Sequence, residues 1–209
     1  MITKSTYLKP IPLIQPVDIS ISFQSFTLPT GVTGLPGAAN LTTETRYESH
    51  VTVSGGLNGR FSGSIYPDNM NIKGRLLNGT YDVFLGFHKP GQPKTGDLKV
   101  RTNGFRAVLV VNAGRSLRVN SLSPHKHTSD GIHIHNGYNH WHVSHPMSEG
   151  CLIIAPKDWS SFISMFLNAF PNISEWASGS SRIGRWIGKV TVRSTLYNDF
   201  APRNDGLMA

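Results

Sequence analysis

Ser148-Glu149-Gly150-Cys151-Leu152-Ile153-Ile154-Ala155-Pro156 decides how this chain is read. Leu152 to Ile154 is an apolar, β-branched run of strand length. Gly150 before it allows a close backbone approach or an unusual φ. Pro156 after it suits the first position of a helix, where its missing N–H costs nothing. Trp159, Phe162, Ile163, Phe166 and Phe170 then recur at i, i+3, i+4, i+7 and i+11, which makes one apolar stripe on one helix face. Pro171 ends it. The stripe is expected to be core. A strand therefore runs into the one clear helix of the chain, and Cys151 stands at the entry of that strand.

Outward from this stretch the pattern is β. Val51-Thr52-Val53 alternates and ends at Gly55-Gly56, and Asn58-Gly59 signals a hairpin into Phe61–Tyr66. Asn78-Gly79 is a second such signal, followed by Thr80–Leu85. Phe105–Val111 is a run of apolar and β-branched residues, and Ala113-Gly114 turns it into Ser116-Leu117-Arg118-Val119. This outlines a β-meander of at least five strands. Trp186–Val192 reads as a last strand. Residues 1–45 are rich in Pro, Gly, Thr and Ser and read as an extended arm, with Ile19–Phe23 alternating as a lone strand. The expected organisation is an arm over 1–45, a domain over 46–197 and a tail over 198–209.

Composition narrows the functions. The 209 residues suffice for a sizeable core, and the net charge is +8. A basic surface suits an anionic partner, of which the carboxylate-rich bacterial wall is one. The Lys and Arg residues form no stripe and no nucleic-acid reader motif appears, so no nucleic-acid partner is expected. The single cysteine excludes an intrachain disulfide. No stretch is apolar enough to span a bilayer, and the N-terminus lacks an apolar h-region. A substrate outside the cytoplasm would therefore require a specialised export route.

Seven of the nine histidines lie between 125 and 145. In Gly131-Ile132-His133-Ile134-His135-Asn136-Gly137 the isoleucines alternate with two histidines. On a strand, burying Ile132 and Ile134 forces His133 and His135 onto the opposite face. A thiol is an effective nucleophile as thiolate, and an imidazole within reach can take its proton. Amides near Gly150 and Cys151 can point at a developing oxyanion. His125, His127, Asp130, His133 and His135 are also metal-ligand types, and His-x-His on a strand can hold zinc. A zinc-dependent wall hydrolase using the 125–145 histidines is thus one alternative. A wall-binding module without chemistry is another.

An Ile-His segment, a gap, and Ser-x-Gly-Cys before an apolar pair are similar to the signature of the YkuD-type L,D-transpeptidases. Sixteen positions separate His135 from Cys151. Leu77–Val83 resembles the family's Gly-x-Tyr-x-Val strand, and Arg106–Val111 with Leu117–Val119 its paired strands. The wording around Ser148–Ile153 also resembles a divergent branch among type VI secretion effectors. The chain departs from the family at Asn136, Glu149 and Ile153. The resemblance covers about residues 77–155. It implies a mainly β, β-sandwich-like catalytic domain with one packed helix after the cysteine. It implies Cys151 as nucleophile and His135 as base. His133, Ser148, Gly150 and Gly137 are auxiliary, oxyanion or substrate-binding positions, and neither a metal nor another cofactor is implied. The implied substrate is the peptidoglycan tetrapeptide stem, with an amine, a D-amino acid or water as acceptor. A secretion-machine component and an immunity protein are the further partners expected, and the periplasm or cell wall is the expected place of action.

Overall fold

In the computed structural model, the residues described are 19–27, 32, 34, 47–88, 101–102, 105–137, 150–170 and 183–195. Twelve strands, one α-helix and a short 3-10 turn at Asn112–Gly114 occupy them. The strands are β1 (Ile19–Ser25), β2 (Ser49–Ser54), β3 (Gly59–Ser64), β4 (Arg75–Leu76), β5 (Gly79–His88) and β6 (Arg101–Thr102). They continue as β7 (Phe105–Val111), β8 (Leu117–Asn120), β9 (Thr128–Ser129), β10 (His133–Asn136), β11 (Leu152–Ile154) and β12 (Ile183–Ser194). The helix is α1 (Pro156–Ala169).

The main sheet runs β10-β11-β3-β2-β1-β12-β5-β7-β6, and β10 also pairs with β7. That last pairing closes eight strands into a barrel-like ring, with β6 outside it on β7. Closure leaves the ring strands few unpaired backbone edges. β4, β8 and β9 form a separate three-stranded sheet. The protein is mainly β with one packed helix. The larger sheet closes on itself.

Two expectations from the sequence need correction. The strands from β2 to β8 do not form a meander, because β3 pairs with β2 and β11, β4 with β8, and β5 with β12 and β7. Asn78-Gly79 does not make a hairpin, because β4 pairs with β8 while β5 pairs with β12 and β7. The Asn78 side chain explains the difference. Its Oδ1 accepts from the Ser194 N–H (3.0 Å), and its Nδ2 donates to the Ser194 carbonyl (3.1 Å). It ties the end of β12 to the point where the chain leaves the small sheet for the ring. The hairpin at Asn58-Gly59 is present, with Val53 opposite Gly59. Ile19–Ser25, which the sequence places in the arm, lies within the ring between β2 and β12.

Strand alternation sorts the ring into two faces. Ile21, Phe23, Val51, Val53, Val83, Leu85, Leu109, Val111, Ile134, Leu152, Ile154, Val190 and Val192 face one continuous core. The helix adds Trp159, Phe162, Ile163, Phe166 and Phe170 to it, as their spacing predicts. Phe61 meets Phe162 edge-on at 5.2 Å between centroids. Asp158 in the first helical turn accepts from the Ser62 N–H at 2.7 Å and holds α1 against β3. Gly188 in β12 faces the Ile19 carbonyl so closely that any Cβ there would collide with it.

Candidate functional site

The outer face of the ring is not uniform. Along β1, β2, β5 and β12 it is polar and exposed at Ser20, Thr52, Ser54, Thr80, Asp82 and Lys189. Along β7, β10, β11 and β3 it is buried, at Val108, Val110, His133, Ile153 and Ser64. The register explains which residues meet there. Val110 pairs with His133, His135 with Ile153, and Ile153 with Ser64, and paired residues share a face.

Cys151 joins this face through the same register. Ile134 lies opposite Leu152 in the parallel β10/β11 pair, so one step back sets Cys151 opposite His133. Adjacent strands are about 4.8 Å apart, and same-face neighbours along a strand about 7 Å apart. Cys151, His133 and His135 therefore share one small outer patch. The His133 backbone N–H donates to Cys151 Sγ at 3.4 Å. An N–H aimed at sulfur favours negative charge there. The sequence pattern puts both imidazoles on one face and does not disclose this amide, since it depends on which strand lies beside β10.

His133 is buried and His135 is half-buried. His135 Nδ1 lies 2.8 Å from the Asn136 carbonyl oxygen. A carbonyl only accepts, so the bonded tautomer carries its proton on Nδ1 and leaves Nε2 as the basic nitrogen. Asn136 thus supplies the oxygen that orients this ring.

Gly150 is buried, with φ at +119°. A side chain would be strained there, and a Cβ would stand 2.7 Å from the Gly74 carbonyl oxygen and 3.6 Å from Ser129 Oγ. Ser129 of the small sheet and Gly74, just before β4, therefore lie against the turn that precedes Cys151. Gly137 follows β10 and donates its N–H to the Ile154 carbonyl at 2.9 Å. A Cβ on it would meet the Tyr47 hydroxyl at 2.8 Å, so the phenol occupies that space. Ser148 lies outside the described residues, as do His140, Trp141, His142 and His145.

The remaining ligand-type residues do not converge on this patch. His125, His127 and Asp130 are exposed. Among the described residues no three His, Cys, Asp or Glu side chains form a group able to hold a metal ion. No helix among them is long and apolar enough to cross a membrane.

One titratable group escaped the sequence reading. Glu48 is buried just before β2, and burial pushes its carboxyl up to about 7. Its Oε1 accepts from Ser49 Oγ (2.9 Å) and from the Ile65 N–H (3.1 Å), which offsets part of the rise. Oε2 is buried without a hydrogen-bond partner among the described residues. No composition or spacing signal marks this residue. Arg75 is buried too; its Nη1 donates to the Leu76 carbonyl (3.1 Å) and to Asn78 Oδ1 (3.2 Å), and the guanidinium lies over Tyr66.

No family model, curated protein or solved structure matches this chain.

Proposed function

We propose that the protein is a cysteine acyltransferase of the L,D-transpeptidase type, acting on the tetrapeptide stems of peptidoglycan. The observation that carries the reading is the parallel β10/β11 register. It sets Cys151 opposite His133, aims the His133 N–H at Sγ, and keeps His135 on the same face. The closed sheet with α1 behind the nucleophile strand is read as that family's catalytic domain.

Cys151 Sγ gives its proton to His135 Nε2 and attacks the carbonyl of the third stem residue. Amides near Gly150 and Cys151 receive the developing oxyanion. The protonated imidazole then returns the proton to the leaving D-alanine amine, and a thioester remains. An amine, a free D-amino acid or water resolves it, giving cross-linking, exchange or trimming. His135, whose Nδ1–H is anchored to the Asn136 carbonyl, serves as the base, and His133 contributes its amide. Delivery by a secretion machine to the wall of a neighbouring cell, with an immunity protein in the producer, completes the reading.

The test is incubation with tetrapeptide muropeptides, followed by mass spectrometry. Loss of D-alanine that needs Cys151 and His135 and ignores a chelator is expected. Turnover that survives Cys151→Ala and stops with chelator would move the chemistry to the histidines and overturn the reading.

A further inference from the structure

We propose that Ser129 is a further catalytic residue, whose hydroxyl hydrogen-bonds the oxyanion formed at Cys151. The inference rests on the acyl-transfer reading above and adds a side-chain donor to it. Two observations carry it. Ser129 Oγ stands 3.6 Å from the point a Gly150 Cβ would occupy, and only a glycine there lets the turn before Cys151 come so near the hydroxyl and the Gly74 carbonyl. The β8/β9 register then directs the side chain. Ser129 pairs with Leu117, which packs on the core, while the neighbouring pair Arg118 and Thr128 is exposed. Paired residues in an antiparallel ladder share a face, so Ser129 points with Leu117 toward the ring. Among the described residues no hydrogen bond engages this hydroxyl.

The step balances as follows. The Cys151 thiolate adds to the acyl carbon, a C–S bond forms, and the carbonyl π pair moves onto oxygen. Ser129 donates a hydrogen bond to that oxygen and keeps its proton. When the pair returns, the C–N bond breaks and the amine leaves with the proton held by His135. The acyl donor this geometry suits is an amide whose carbonyl oxygen faces the small sheet at β9.

Alkylation by iodoacetamide develops no oxyanion, whereas acylation by p-nitrophenyl acetate does. Both reactions at Cys151 are to be timed in the full chain, with Ser129→Ala and Ser129→Thr beside it. Ser129→Ala is expected to slow acylation roughly 10- to 100-fold and to leave alkylation within about twofold, since that reaction has no oxyanion to stabilise. Ser129→Thr, which keeps the hydroxyl, is expected to recover most of the loss. Equal slowing of both reactions, or unchanged acylation, would overturn the proposal. If iodoacetamide labels wild-type Cys151 but no Cys151-dependent acylation occurs, the acyl-transfer reading itself fails and takes this role with it.

Discussion

Replacing Glu48 by Gln is expected to raise stability at alkaline pH and to change little in acid. Burial raises the carboxyl from its ordinary 4.5 to about 7 in the fold. The folded state therefore binds its proton more tightly than the unfolded chain does. Below pH 4.5 both states are protonated and the group imposes no penalty. Between 4.5 and 7 the unfolded chain ionises first, and stability falls with rising pH. Above 7 both states are ionised, and the folded state carries a buried charge. At about 1.4 kcal/mol per pKa unit, the full loss is about 3 kcal/mol. Gln keeps the Oε1 acceptor for Ser49 and the Ile65 N–H and removes the charge. Its amide would stand where the protonated carboxyl already has an unsatisfied oxygen. Urea unfolding of both proteins at about pH 4.5 and pH 8.5 measures the difference, and other titrations cancel between them. The expected outcome is near-equality in acid and an advantage of about 3 kcal/mol for Glu48→Gln in base. An equal gap at both pH values would refute the reasoning, because only a titrating carboxyl makes the gap depend on pH.

Gly150→Ala combines a left-handed φ with a contact against the Gly74 carbonyl. It is expected to cost about 1–3 kcal/mol and to slow iodoacetamide labelling of Cys151, read by thermal unfolding and by mass spectrometry. Phe162→Ala removes a ring that touches Phe61, Trp159 and Phe166 in the core. A loss of about 3–5 kcal/mol is expected in a urea titration. Asn78→Ala removes the acceptor of the Ser194 N–H and of Arg75, together with the donor to the Ser194 carbonyl. It is expected to destabilise by about 2–4 kcal/mol in the same assay.

Local periodicity carried the sequence reading a long way. The stripe from Trp159 to Phe170 is a helix face because 3.6 residues per turn is a property of the helix alone. Ile132 and Ile134 against His133 and His135 is equally local, since a strand alternates whichever neighbour it has. The pairing of strands is not local. Asn78-Gly79 carries a good hairpin signal, yet its side chain binds Ser194, more than a hundred residues away. Ile19–Ser25 reads as an isolated strand and sits between two others because β12, at the far end of the chain, offers it a parallel edge.

The site divides along the same line. From sequence alone come a lone cysteine at a strand's entry, two imidazoles on one face, and a glycine before the cysteine. Only the tertiary structure sets β11 parallel to β10, in the register that brings Cys151 opposite His133 and turns a backbone amide onto sulfur. Only it brings Ser129 of the small sheet and Gly74 before β4 against Gly150, and buries Glu48 where its carboxyl resists ionisation. The physical reason is that side-chain direction follows from the backbone period within one segment. Proximity between segments and the dielectric around a charge follow from how the whole chain closes.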